Sequence, residues 1–316
     1  MTDIFKPIEL DNIQTCSLAE RKSMVSTGDF ARVWEKRGTF ADFINRLPNI
    51  LAARDMRSVV TSIVRACKNQ RTVALGMGAH AIKVGLNPII IDLMEKGILR
   101  AVAMNGAGIV HDFELAFSGQ TSEDVAAALG TGSFGMAKET CSFLGEATDR
   151  AGKEKIGLGR AVGLSILEQN PAFASASILA AGARLNIPVT VHIAIGTDII
   201  HMHPQFHAGH AGEASHRDFR TFASVVSTLE QGVYINLGSA VILPEVFLKA
   251  LSLVRNLGHS VKHLTTVNMD FIRQYRPMTN VVNRPTLEGG KGFCLVGHHE
   301  IMFPLLAAAV IEELGY

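Results

Sequence analysis

Short apolar runs that end in glycine-bearing turns, each followed by a helical stretch, recur along this chain, and that alternation restricts the fold more than any other feature. From Thr72 to Leu75 an apolar run leads into a turn with Gly76 and Gly78, and a helical stretch then passes through Ile89, Ile90 and Leu93 to Gly97. Ala101 to Met104 repeats the pattern, with a turn at Asn105 to Gly108 and a helix start at His111 to Phe117. Pro188 to Ile195 reads as a strand ending at Gly196, Thr197 and Asp198. Gly232 to Leu237 ends at Gly238 to Ala240 before a helix over Pro244 to Arg255, and a further strand covers His263 to Val267. Strands separated by helices pair in parallel through right-handed crossovers. The expected fold is therefore α/β, a Rossmann-like open parallel sheet flanked by helices.

Other segments carry the helical period. Phe40 to Cys67 reads as two helices broken near Pro48, Pro171 to Leu185 as a helix of small residues, and Phe219 to Leu229 as another. Ile301 to Leu314 is apolar on several faces, which suits a core or a subunit interface. The chain has 316 residues, 47% hydrophobic and 19% charged, enough apolar side chain for a large core. No linker or composition shift divides it, so one domain over residues 1–316 is expected, with 1–68 as a helical N-terminal extension.

A net charge of +1 without any run of like charges argues against nucleic acid or an anionic membrane as partner. No stretch approaches the roughly eighteen apolar residues of a membrane span, and the N-terminal residues lack a leader pattern, so a cytoplasmic protein is expected. Cys16, Cys67, Cys141 and Cys294 are scattered without a CxxC pair, which favours reduced thiols.

Four of the strand ends carry turns with glycine or other small residues: Gly76 to Gly78, Asn105 to Gly108, Gly196 to Asp198 and Gly238 to Ala240. In open parallel sheets ligands sit beyond the carboxyl ends of strands, where such turns let backbone approach phosphate or ribose. None of the four matches GxGxxG or GxxxxGK[ST], yet together they predict a nucleotide-type ligand.

Three groups of side chains suggest chemistry. Arg273, Arg276, Arg284 and Lys291 fall within nineteen residues in what reads as a long loop, and guanidinium groups suit a carboxylate or phosphate. Lys291 lies among Gly289, Gly290 and Gly292, where a buried amine would serve as a nucleophile. Five histidines occur between His201 and His216. Of these, His201 and His203 share one side of an extended segment, and His207 and His210 are one helical turn apart. They could ligate a metal, with His201, His203, His207 and His210 as the candidates; they could do acid–base work, with His203 foremost; or they could be structural. His298, ahead of the last helix, is a second candidate base or a helix cap. Asp112 and Glu114 read as partners of a helix N-terminus.

The stretches RTVALGMGAHAIKVGLNPIIIDLMEKGILRAVAMNGAGIVHDFE (71–114), NIPVTVHIAIGTDIIHMHP (186–204) and GVYINLGSAVILPEVFLKALSLVRNLG (232–258) resemble, in that order, segments of the deoxyhypusine synthase family. So does the C-terminal order Asn283, Arg284, Pro285, then Gly290 and Lys291, then Phe303 to Leu306. The resemblance covers roughly residues 70 to 310. It implies an NAD-binding fold, a homotetramer, and NAD and substrate held between subunits. Carried over residue by residue, it implies cofactor contacts from Gly76, Gly78, Asn105, Gly106, Gly108, Thr197, Asp198, Gly238, Ser239 and Asn268, and a lysine imine at Lys291.

The departures lie on the substrate side. Gly289 stands where the family has Trp, Pro244 and Glu245 where it has a His pair, and Ile272 to Pro277 where it has an acidic loop. A polyamine needs carboxylates around it, and Arg273 and Arg276 offer the opposite charge. The expected activity is that of an NAD-dependent enzyme acting on an anionic amine or alcohol, with Lys291, His203 and His298 as catalytic candidates and Arg273, Arg276 and Arg284 as substrate contacts. Aminobutyl transfer from spermidine, the family's own reaction, and non-catalytic nucleotide binding are the alternatives.

Overall fold

The computed structural model describes residues 5–316. Ahead of the sheet come α1 (Phe40–Arg46), capped by Thr39, and α2 (Leu51–Lys68). Next in the chain are β1 (Val73–Met77), α3 (His80–Lys83), α4 (Asn87–Glu95), β2 (Ala101–Asn105) and α5 (Gly106–Ser118). A long excursion holds α6 (Val125–Leu129), α7 (Lys138–Glu154), α8 (Leu158–Gln169) and α9 (Ile178–Leu185) before β3 (Val189–His192). The second half runs α10 (Ala208–Ser227), β4 (Val233–Leu237), α11 (Ile242–Asn256), β5 (Thr265–Asp270), α12 (Tyr275–Pro277), β6 (Lys291–Val296) and α13 (His299–Leu314). All pairings are parallel, in the order β3-β2-β1-β4-β5-β6. The order reverses between β1 and β4, the place where open α/β sheets leave a crevice beyond their strand ends. No helix among the described residues is long and apolar enough to cross a membrane.

A parallel sheet is covered on both faces, so its strands read as unbroken apolar runs, and every residue of β1, β3, β4 and β5 is buried. Val73, Leu75, Met77, Val102, Met104, Ile235 and Val267 join the larger core cluster with side chains of α2, α4, α5 and α13. On the other face Ala74, Ala101 and Ala103 leave room for Tyr234 and for Phe222 and Phe247 of α10 and α11. Tyr234 and Phe247 stack with centroids 3.9 Å apart. Gly76 is inside β1: a Cβ there would stand 2.1 Å from the Tyr234 hydroxyl.

The excursion α7 to α9 is tied down by two buried carboxylates. Asp112 of α5 accepts from the N–H groups of Ile178 (2.8 Å) and Leu179 (3.1 Å) at the start of α9, and from the Ser177 hydroxyl (2.5 Å). Burial pushes its carboxyl up to about 6, against those hydrogen bonds. Asp218 of α10 accepts from Gly159 N–H at the start of α8 and from Val191 N–H on edge strand β3, both at 2.9 Å, and burial pushes it up to about 7.

Several local expectations are corrected. The residues from Gly106 begin α5 itself, with Asn105 as its cap, so Asp112 and Glu114 lie in mid-helix, and Asp112 serves the N-terminus of α9. His201 lies in a 3-10 turn (Ile199–Met202) that ends at His203, and the segment is not extended. Residues 275–286 form α12, a π-helical turn and a 3-10 turn where a long loop was expected. The glycine-flanked Lys291 opens a sixth strand.

Removing the Asp218 carboxylate leaves two buried N–H groups unpaired, at roughly 1–3 kcal/mol each. Asp218→Ala is expected to lower unfolding stability by roughly 2–5 kcal/mol, and Asp218→Asn by less, since it keeps one acceptor. Urea denaturation of the two variants checks this; equal, small losses would refute it.

Candidate functional site

At the switch point the turns after β1 and β4 touch: Gly78 N–H donates to Leu237 O (3.0 Å), and a Cβ on Gly78 would stand 2.3 Å from Gly238 O. The β4 turn is held from within the sheet. Asn236 donates through Nδ2 to Ser239 O (2.9 Å) and to Asn268 Oδ1 (2.8 Å), and Leu243 N–H donates to Ser239 Oγ (3.1 Å). Asn268 is fully buried in mid-strand, so it positions Asn236 and does not reach the surface. The N–H groups of Ala240, Val241 and Ile242 at the start of α11 have no acceptor among the described residues, and the end of a fifteen-residue helix favours negative charge there. α3, after β1, has only four residues.

His299 fills the crevice from the α13 side. It is 1% exposed, and neither ring nitrogen has a hydrogen-bond partner. Asp270 Oδ1 lies 3.7 Å from its Nε2, His80 and Phe271 pack around it with centroids at 5.4 and 5.9 Å, and a Cβ on Gly238 would stand 2.6 Å from its Cε1. Burial holds this imidazole neutral to lower pH than usual, with Asp270 opposing. The preceding His298, the sequence candidate, is exposed at the N-cap of α13.

Over β2 and β3 the carboxyl ends are arranged differently. Asp198 occupies the start of α5: its Oδ2 accepts from Ala194 N–H (2.8 Å), and a Cβ on Gly106 would stand 2.2 Å from it. Burial pushes this carboxyl up while the N–H groups of Ala194 and Ala107 pull it down. The Gly106 turn thus serves an internal anion, and Gly108 packs on Met104. Beside Asp198 opens a cleft of about 250 Å³, walled by Val110, Val125, Phe134 and Ile199, with Lys83, His111, Glu114, Glu123 and Thr197 among its polar residues. A larger groove of about 520 Å³ lies at the amino end of β3, around the hydrogen-bonded Asp218 and far from the strand ends.

In the cleft His111 Nδ1 is 2.7 Å from Thr121 Oγ1, which donates to Glu114 Oε2 (2.5 Å). Burial first, then the charge of Lys83, pushes His111 down to about 4. None of Lys83, His111, Thr121 or Glu123 was singled out from the sequence. The one signal that could have found them is the i,i+3 spacing of His111 and Glu114, which puts both on one face of a helix.

The other sequence candidates disperse. Lys291 stands at the amino edge of the sheet, paired with Thr265, beside Arg65, Gln231 and His263. With five residues of strand between it and the carboxyl end, it is roughly 17 Å from the crevice. Arg273 is exposed after β5, Arg276 faces Glu245 at 3.5 Å, and Arg284 donates to Asn280 Oδ1 (3.0 Å). The four proposed metal ligands separate as well. His201 packs on Phe206, and His203 is buried with Nδ1 2.5 Å from Cys141 Sγ. His207 and His210 stack at 3.8 Å, and His210 Nδ1 lies 2.8 Å from Asp149 Oδ1. Asp149, His207 and His210 form a three-ligand group within 4.8 Å, without His201 or His203.

Burial raises the Cys141 thiol above its usual value, with the Glu139 charge adding to the effect, so Cys141 is protonated at pH 7 despite His203. Alkylation by iodoacetamide, monitored by peptide mass spectrometry, is expected to be slow at pH 7 and to accelerate only above pH 9. Rapid labelling at pH 7 would show a thiolate–imidazolium pair instead.

No protein-family model matches the chain, and no curated protein matches it by sequence. Solved structures match it in fold. ArgZ, an arginine dihydrolase from the ornithine–ammonia cycle in cyanobacteria, aligns with a TM-score of 0.52 and 15% identity over 82% of this chain and 31% of its own. AgrE, in a ternary complex with ornithine and NAD+, gives 0.52 and 15% over 85% and 35%. A candidate deoxyhypusine synthase of Entamoeba histolytica gives 0.51 and 13% over 88% and 95%. The chain thus spans about a third of the length of ArgZ and AgrE. At these identities the likeness is one of fold: the chain is an α/β protein with a six-stranded parallel sheet, of a kind that in AgrE accompanies bound NAD+.

Proposed function

We propose that the protein is an NAD-dependent enzyme acting at an amine or alcohol carbon of an anionic substrate. The observation that carries this reading is the crevice at the switch point, where the free N–H groups opening α11 lie beside a buried imidazole without a partner. A dinucleotide fits those groups. The N–H groups of Ala240, Val241 and Ile242 would hold its pyrophosphate, with the buried His299 packed behind the Gly238 turn. When bound, NAD supplies the acceptor for a hydride. AgrE, on this fold, binds ornithine and NAD+, which supports the same pairing here.

The anionic substrate rests on different cations from those expected. Arg276 and Arg284 are engaged within the chain, which leaves Arg273 after β5 and Lys83 in the cleft. A lysine imine at Lys291, and with it the synthase reaction, draws no support from the place of Lys291 at the amino edge of the sheet. We also propose a homotetramer, since Val241, Phe271, Ile272 and Tyr275 beside the crevice are exposed apolar side chains that a second copy would cover. Light scattering at micromolar concentration is expected to give an assembly, and a stable monomer would remove this part.

Val241→Asp places a carboxylate where the pyrophosphate would sit, and an acid there suits a helix N-terminus, so the fold keeps its stability. Calorimetry is expected to show NAD+ binding to the wild type and binding weaker by about tenfold or more in the variant. Absence of NAD+ and NADH binding at millimolar concentration would sink the dinucleotide reading. Binding without turnover of any amine or alcohol would favour a nucleotide-binding protein.

A further inference from the structure

We propose that the cleft beside α5 is the substrate site, that it takes a small carboxylic acid carrying a neighbouring ammonium or hydroxyl group, and that His111 Nε2 accepts the proton this group loses. The assignment rests on the dinucleotide reading only for the hydride transfer that would accompany the proton transfer.

The hydrogen bonds decide which nitrogen of His111 is free. A carboxylate only accepts, so the single proton of the Thr121 hydroxyl goes to Glu114 Oε2, 2.5 Å away. Thr121 Oγ1 must then accept from His111, and His111 Nδ1, at 2.7 Å, is the protonated nitrogen. Nε2 is left with its lone pair. It has no hydrogen-bond partner among the described residues, and it is not one of the occluded side-chain atoms, so it is open to the cleft that His111 lines. A carboxylate that fixes the tautomer of a histidine through its Nδ1–H is the arrangement by which an imidazole is kept as a base.

The same relay compensates the charge that arrives. When a substrate O–H or N–H bond breaks, its electron pair stays on the oxygen or nitrogen and the proton forms a new bond to Nε2. The imidazolium so formed has Glu114 Oε2 3.8 Å from its Nδ1, with the Thr121 hydroxyl between. Glu114 is in turn held by Thr140 Oγ1 (3.4 Å). Thr121 and Glu114 are positioning residues, acting through His111.

Lys83 sets the substrate class. It is the one Lys or Arg lining the cleft, it is exposed, and it has no carboxylate partner among the described residues. Its charge is close enough to depress the basicity of His111. The acidic side chains of the cleft accept only from neutral donors, Glu114 from Thr121 and Thr140, Glu123 from Gly135 N–H at 2.8 Å and Asp198 from Ala194 N–H, and so favour the ammonium or hydroxyl end of the substrate and not its carboxylate. The substrate carboxylate has one cation to meet, the unpaired Lys83, while its ammonium or hydroxyl faces the His111 lone pair and the acids. At about 250 Å³ the cleft is below the usual range for drug-sized ligands, which restricts the substrate to a small metabolite.

Two measurements test this without turnover. Nitrogen-15 imidazole NMR of the full chain, with His111→Gln to assign the signals, is expected to show His111 as the Nδ1–H tautomer and neutral at pH 5.5, and Thr121→Val is expected to lose that tautomer's dominance. An Nε2–H tautomer in the wild type would overturn the proton-accepting role. Calorimetry with L-alanine, L-ornithine and L-lactate, against ethylamine, 1,4-diaminobutane and ethanol, is expected to show binding of one or more acids and at least about tenfold weaker binding of its decarboxylated analogue. Lys83→Met is expected to lose that preference, with unchanged melting temperature and NAD+ affinity. Equal affinity for acid and analogue, or no acid bound at millimolar concentration, would overturn the substrate class. Lost acid binding with retained NAD+ binding would leave the dinucleotide reading standing.

Discussion

Parallel strand pairing is the constraint on which the site depends. Two parallel neighbours cannot be joined by a tight turn, so each strand must return through a crossover on one face of the sheet, and all the strands then end along the same edge. The chain satisfies this with helices on both faces and collects six loops at the carboxyl edge. The free N–H groups of α11, His299, Asp198 and the cleft of His111 all stand there. The long excursion before β3 is the one departure from simple alternation. It survives because Asp112 and Asp218 give the starts of α9 and α8 a buried acceptor, which offsets the cost of leaving backbone N–H groups without water.

Burial does most of the electrostatic work. Asp198 at the start of α5 has its carboxyl pushed up, and His111, a few residues into that helix, is pushed down. The cleft therefore holds its histidine in the form that accepts a proton, while the acids keep their hydrogen bonds to N–H and hydroxyl groups. Lys83 strengthens the first effect and gains no partner from the second. Neutralising Lys83 by a substrate carboxylate would raise the basicity of His111 again, so binding of an acid would itself ready the base.

Local period and turn chemistry made the first five strands legible, because buried parallel strands are continuous apolar runs and glycine marks their ends. The sixth escaped because KGFCLV is mostly exposed or half-buried and begins among glycines, which reads as loop when burial on one face only is not visible in the sequence. That miss carried Lys291 with it. A lysine in a glycine-rich loop suggests a nucleophile, whereas the first residue of β6 is fixed at the amino edge of the sheet, opposite to the carboxyl ends of the strands. The arginines are spread for a related reason: nineteen residues of sequence proximity say nothing about the two ends of a strand.

His298 and His299 show what sequence proximity leaves undecided within a single turn. Both stand at the start of an apolar helix, and only the packing of α13 on the sheet determines that the second is buried against Gly238 while the first sits at the N-cap position in solvent, without a capping hydrogen bond. The cofactor turns divide in the same way. The turns after β2 and β4 look equivalent as sequence, yet Asp198 fills the start of α5, and nothing among the described residues fills the start of α11. Neighbouring strands are about 4.8 Å apart, and β1 alone separates β2 from β4, so the cleft and the crevice are offset by roughly 10 Å along the edge. That offset is within the length of a dinucleotide. A dinucleotide held at α11, as proposed, would therefore have the reach to bring its other end toward His111, the proposed base.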